Sequence, residues 1–212
     1  MSNLDLLIDQ LSQQLEPVRV HRGSTGRLIL AATAAASISG IAVVYGLRGD
    51  VMTMRAPPLL MVAIGLMAIL GCASGVQAVR RARPQVGAPT TGTPWLVAAL
   101  GLLPLLALAA LLTDPAAAVG LDSDSGIRCL VVGLASGLAS LGFLTFWLRR
   151  GAPVAADRAA WLAGLSAGAI GAAAVTLECG RNEIAHLGLW HVAVVAVMAI
   201  AARVALPRLL RW

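Results

Sequence analysis

The chain alternates between long, unbroken apolar runs and short polar connections. Six runs approach the roughly 20 residues that a helix needs to cross a hydrocarbon core of about 30 Å. They lie approximately at Leu28–Leu47, Pro57–Val79, Trp95–Thr113, Cys129–Leu148, Ala159–Leu177 and Leu187–Leu206. No connection is long enough for a soluble domain, and short connections make successive spans antiparallel neighbours. The N-terminal segment follows a different pattern. Leu4, Leu7, Ile8, Leu11 and Leu15 recur at helical spacing, and Asp5, Asp9, Gln10, Ser12, Gln13 and Glu16 occupy the other face. Ser2 or Asn3 can cap this helix, and Pro17 stops it. The predicted fold is an all-α integral membrane protein, with six transmembrane helices behind a short N-terminal amphipathic helix. Its units are residues 1–27, helix and linker, and 28–212, the transmembrane domain.

Composition agrees with this reading. Hydrophobic residues make up 58% of the chain and charged residues 12%, against about a quarter charged in soluble domains. The mean hydropathy is +0.84. A net charge of +6 could suit nucleic acid, and all 16 basic residues are arginines. They cluster between the apolar runs, however, which is a topology signal, so no direct nucleic-acid binding is expected. Arg19, Arg22, Arg27, Arg80, Arg81, Arg83, Arg149, Arg150, Arg158, Arg203, Arg208 and Arg211 fall on one side of the predicted bilayer. Only Arg48, Arg55, Arg128 and Arg181 fall on the other, together with most of the acidic residues. The positive-inside rule then places both termini in the cytoplasm of a multi-pass bacterial inner-membrane protein. Trp95, Trp147, Trp161 and Trp190 sit at span ends, as interfacial anchors do. The first apolar run follows an acidic helix rather than a short basic region, so no cleavable signal peptide is expected.

The acidic face of the N-terminal helix, carrying Asp5, Asp9 and Glu16, disfavours a seat on anionic lipid. Two fates remain open for its apolar stripe: docking on the protein's own cytoplasmic rim, or recognition by another protein through a groove.

The three cysteines divide by position. Cys72 lies deep in the second span, where a thiol acts as a small apolar residue. Cys129 and Cys179 fall at the outer ends of spans four and five. Cys129, Gly133 and Gly137 share one helical face, and Gly164, Gly168 and Gly171 continue onto the face of Cys179. If the two spans pack through these glycines, the cysteines meet at the outer rim. On the oxidising side of a bacterial membrane such a pair can form a disulfide or meet an oxidant or soft metal. His186, His191 and Glu178 lie at the same rim and could complete a coordination shell, giving Cys129, Cys179, His186 and His191 as a possible metal set. Simpler roles compete with each: a structural staple for the cysteines, interfacial polarity for the histidines.

No span carries a charge near its middle, which weakens a small six-span transporter or permease as the alternative function. No phosphate loop, HExxH or Ser/His/Asp set appears, so no enzyme and no cofactor are expected. A membrane thiol oxidoreductase would need a CxxC motif that the chain lacks.

The leading LIDQLSQQLEPVRV segment, the six spans, the LRRGAP loop at 148–153, the Gly/Ala-rich fifth span and the Cys before a sixth span opening HLGLWH resemble the NrsF-like family. These are membrane anti-sigma factors, negative regulators of sigma F of the extracytoplasmic-function class. The resemblance implies that the N-terminal segment holds a sigma factor through Leu4, Leu7, Ile8, Leu11, Leu15, Pro17 and Val18. It also implies that Cys129 and Cys179 sense an envelope redox or heavy-metal signal. Periodicity alone shows only an unmet apolar stripe.

Overall fold

The computed structural model describes residues 3–13, 22–83, 93–151 and 153–210, and the expectations placed on Leu15, Pro17 and Val18 lie outside them. The described residues form helices and no strand. In chain order they are α1 (Asn3–Gln13), α2 (Gly23–Val44), α3 (Gly49–Met52), α4 (Pro58–Arg81), α5 (Thr93–Thr113), a 3-10 segment (Pro115–Leu121), α6 (Ser123–Arg149), α7 (Ala156–Thr176) and α8 (Ile184–Leu210). Five of them, α2, α4, α6, α7 and α8, are long and apolar enough to cross a bilayer. The remaining predicted span lies in α5, whose stretch Gly101–Thr113 is apolar but shorter.

The distribution of polarity is that of a membrane bundle. Large apolar side chains such as Val43, Ile69, Leu105, Val131, Leu138 and Val204 point outwards and are exposed. Ser37, Ser74, Ser140, Ser166 and Thr176 are buried between helices. Lipid tails solvate leucine as well as a protein core does, so association depends on close approach and on hydrogen bonds across helices. Both occur here. Ser166 Oγ donates to the Gly71 carbonyl at 2.8 Å, Ser37 Oγ to the Ser136 carbonyl at 2.7 Å and Trp147 Nε1 to the Val79 carbonyl at 3.3 Å.

Helix α7 is the axis of the bundle, with 94% of its apolar window buried. More than half of it is Ala and Gly, so α4, α6 and α8 all pack closely on it. The glycine stripes predicted to join spans four and five divide between two partners. Gly171 packs against the Gly133 carbonyl, and a Cβ on Gly137 would lie 2.5 Å from the Ala167 carbonyl oxygen, so these glycines do join α6 to α7. Gly164 and Gly168 face α8 instead, where an added Cβ would come within 2.6 Å of Ala199 Cα and 2.7 Å of Val195 Cα. Residues at spacings of three and four drift around a straight helix, so one row of glycines can serve two neighbours.

Charge separates the two ends. Arg22, Arg27, Arg80 and Arg83 line one polar cavity at the N-terminal end of α2. At the opposite end three arginines carry acidic partners: Arg48 with Asp50, Arg128 with Glu178, and Arg181 with Asp122 and Glu183.

Candidate functional site

Cys129 and Cys179 meet at the end of the bundle away from that basic cavity. Helix α6 begins earlier than hydropathy indicates, because Asp122 caps it by accepting from Ser125 N at 3.3 Å. Cys129 therefore lies in its second turn, inside the helix rather than at its tip. Helix α7 ends at Thr176, and the chain turns through backbone bonds from Leu177, Glu178 and Cys179 to Ala174 and Val175. This turn folds Cys179 back onto Val175 and Cys129, with the two Sγ atoms 3.4 Å apart and both thiols free and buried.

Two imidazoles complete the cluster. His186 Nε2 lies 3.5 Å from Cys179 Sγ, and the rings of His186 and His191 meet edge-on with centroids 5.3 Å apart. One donor atom from each of Cys129, Cys179, His186 and His191 lies within 4.8 Å of all the others, and all four residues are buried. The two histidines are five residues apart, and a regular α-helix would turn them roughly 140° away from each other. A π turn at Leu187–His191 closes that gap, since its wider winding brings residues five apart onto one side. Small residues make room for it. Gly188 packs under α5, where a Cβ would lie 2.6 Å from Ala107 Cβ and from the Leu103 carbonyl oxygen, and the Trp190 ring covers Gly126.

Thr176 orients one ring. Its hydroxyl donates to the Ala172 carbonyl at 2.6 Å, so its lone pairs face His191 Nδ1, also at 2.6 Å. This arrangement suits the tautomer with the proton on His191 Nδ1, in which the Nε2 lone pair is buried without a hydrogen-bond partner. His186 Nδ1 is likewise buried and unpartnered. The adjacent Cys129 thiol holds Cys179 well below the usual thiol range, against the effect of burial. The set offers two soft sulfurs and two imidazole nitrogens, a chemistry that suits a tetrahedral soft or borderline metal, or a two-electron oxidation of the thiol pair.

Glu178, placed at the same rim by sequence, does not join the cluster. It pairs with Arg128 at 2.8 Å, and Arg128 stacks over the Tyr45 ring at 5.2 Å. Cys72 is exposed on the outer surface of α4.

Sequence reasoning missed Arg48. Its side chain donates to the carbonyls of Cys179 and Arg181 and to Asn182 Oδ1, at 2.8 Å for the last. Its backbone N–H donates to the Leu177 carbonyl at 3.1 Å. Asp50 holds the guanidinium in place through two bonds, Nε to Oδ1 at 2.9 Å and Nη2 to Oδ2 at 2.6 Å. The loop at the C-terminal end of α2 thus grips the loop that carries Cys179. The available signal was its rarity, as one of only four arginines on that side.

At the other end of the chain, α1 presents Leu4, Leu7, Ile8 and Leu11, each more than half exposed, with Leu6 beside them. Asp9 is bonded within the polar face by Gln13 Nε2 at 3.1 Å. The candidate partner-binding residues described here therefore form an open apolar surface, far along the chain from the thiol cluster.

No curated protein and no solved structure matches the chain. A family model described as negative regulator of sigma F matches residues 11–212, nearly the whole chain; it takes in the thiol cluster and residues 11–13 of α1, and leaves Leu4, Leu7 and Ile8 outside the match. The chain belongs to the NrsF family of negative regulators of sigma F.

Proposed function

We propose that this protein is a six-span inner-membrane anti-sigma factor, which holds its sigma factor at the cytoplasmic face and releases it when the outer thiol pair is oxidised or takes a soft metal. Family membership makes a sigma factor the natural partner. The observation that carries the reading is the exposed apolar stripe of α1, an amphipathic helix too short to be stable alone in water. Leu4, Leu7, Ile8 and Leu11 supply the anchors, with Leu15, Pro17 and Val18 continuing the segment. Topology is supported by charge: Arg22, Arg27, Arg80 and Arg83 gather at the end of α2 that follows α1, and the arginines near the cysteines lie among acidic residues. Six crossings keep both termini on one side, and α5, at 21 residues, is long enough to span about 30 Å.

Sensing belongs to Cys129 and Cys179. Their juxtaposition lets a two-electron oxidant convert two thiols to a disulfide, drawing the Cys179 loop against α6. Because Arg48 ties that loop to α2, movement there reaches the helix that leads back to α1.

Capture of the candidate sigma factor by the full-length protein in detergent tests the binding half. Leu7→Asp with Leu11→Asp should abolish capture while leaving the protein monodisperse and as thermostable as the parent. Undiminished capture would overturn the assignment of the stripe.

A further inference from the structure

We propose that Cys129, Cys179, His186 and His191 are the four ligands of a resident zinc-class divalent cation, and that this metal-bound form, not a disulfide, is the resting state of the thiol pair. The inference deepens the reading above, on which it rests for what the site controls: an incoming soft metal then acts by displacing the resident ion, and an oxidant acts once that ion has left.

Geometry comes first. In a tetrahedral zinc site with two sulfurs and two imidazole nitrogens, the ligand atoms lie roughly 3.3–3.8 Å apart, as follows from zinc–ligand bonds of about 2.0–2.3 Å. The two Sγ atoms are already 3.4 Å apart, His186 Nε2 is 3.5 Å from Cys179 Sγ, and no pair among the four donor atoms exceeds 4.8 Å. Contraction by about 1 Å at the widest pair closes the shell, within the reach of side-chain rotation.

Hydrogen bonding gives a second argument. Thr176 suits the tautomer of His191 in which a bare Nε2 lone pair is held inside a fully buried site. Buried acceptors are nearly always satisfied, and no protein donor reaches this one. A cation bound there satisfies it, with Thr176 acting as the outer partner that metal-bound histidines normally have. The π turn is a third argument. It is a rare element that tends to occur at functional sites, and here it is what lets His186 and His191 act together.

Charge and ligand type select the ion. Two thiolates neutralise a divalent cation, so the loaded cluster is uncharged in a setting that penalises net charge. Glu178 is turned away to Arg128, leaving no carboxylate to favour magnesium or calcium. All four positions are filled by protein, the pattern of a structural rather than a catalytic zinc site.

The metal also sets the order of events. While it is bound, both sulfur lone pairs are engaged. Once it leaves, the two thiolates can give two electrons to diamide, forming one S–S bond, while diamide takes up two protons to become its hydrazine.

Full-length protein purified in detergent without chelator should carry one zinc per chain by elemental analysis. After chelator treatment, cobalt(II) should give the visible bands of a tetrahedral site together with a thiolate-to-cobalt charge-transfer band. His191→Ala should lose both bands, and His191→Cys, which retains a ligand, should restore them with stronger charge transfer. Thr176→Val should weaken cobalt binding about 10–100-fold, as loss of an outer partner does. Diamide should cross-link Cys129 to Cys179 in the stripped protein and spare the zinc-loaded one. Absence of zinc, a cobalt spectrum unchanged by His191→Ala, or equal cross-linking of loaded and stripped protein would overturn the site. Sigma-factor capture by the same preparation separates the two readings: capture without metal sinks only the zinc site, and metal without capture sinks only the partner.

Discussion

Helices α7 and α2 are both about one bilayer long, and they are held in opposite ways. The apolar window of α7 is 94% buried and that of α2 only 17%. Side-chain size explains the difference. Along α7, alanine and glycine let three neighbours reach the backbone, and Gly171 and Gly168 each meet main-chain atoms of another helix. Helix α2 meets its neighbours along a narrow seam, chiefly Leu30, Ser37 and Ile41, and much of the rest faces outwards. The thiol site is built on the end of the first helix, and the partner segment precedes the second. On the proposed reading, a sensor benefits from a fixed frame and a transmitter from a loosely held rod, which is the contrast these two helices present.

The sharpest test of this contrast places the same change on both helices. A Cβ at Gly171 lands on the Gly133 carbonyl, and neither backbone can yield without opening the α6–α7 seam. Gly171→Leu should therefore cost at least about 3 kcal/mol, the upper end of overpacking. The measured result would be loss of the monodisperse, heat-stable form in detergent. At Gly40 on α2, nothing lies within 4 Å of an added Cβ. Gly40→Leu should shift stability by less than about 0.5 kcal/mol. Equal losses at both sites would remove the distinction between frame and rod.

Much of this frame was legible in the sequence. The apolar runs located α2, α4, α6, α7 and α8 to within a few residues, because bilayer length is a coarse, strong constraint. The starts of α6 and α2 were misjudged most, since Asp124 and Arg128 in one and Gly23, Gly26 and Arg27 in the other make the first turn read as a loop. Helical phase brought Cys129 and Cys179 together, and it did so through Gly133, Gly137 and Gly171. Phase could not bring His186 and His191 together, because five residues is no repeat of an α-helix and a π turn leaves no sequence period. The roles of Thr176 and Arg48 depend on contacts between segments distant in sequence, which periodicity does not encode.

Arg48 is where the frame and the rod meet, so its removal should separate sensing from response. Arg48→Ala leaves the carbonyl of Cys179 and Asn182 Oδ1 without this donor. The cost should be about 1 kcal/mol, since the Cys179 carbonyl is only part-buried and Asn182 is exposed, so water can replace the lost donor. In the metal-stripped protein the thiols should still cross-link on oxidation, since Cys129 and Cys179 are placed by α6 and by the turn that ends α7. Sigma-factor release in response to the same oxidant should fall. Release at the parental level with the disulfide formed would show that another route carries the movement, for which the Arg128–Tyr45 contact at the same end is the next candidate.

The smallest expected effect comes from acid. The Arg48 hydrogen bonds hold the Asp50 carboxyl below its ordinary range, and the Val51 N–H adds to the effect. A carboxyl depressed in the folded protein contributes stability that is complete above its unfolded pKa and is lost as pH falls through the lower, folded value. The clamp should thus stay intact through mildly acidic conditions and loosen only below the ordinary carboxylate range. Asp50→Asn removes the charge at every pH, so it should lower stability slightly in the neutral region, leave the strongly acidic region unchanged and thereby flatten the acid limb of a detergent melting curve. Asp50 is accessible at the surface, which keeps the difference small and makes it shrink with salt. A parental acid limb in Asp50→Asn would place the titrating group elsewhere, with Asp122, held low by the Ser125 hydroxyl and backbone at the cap of α6, the first to examine.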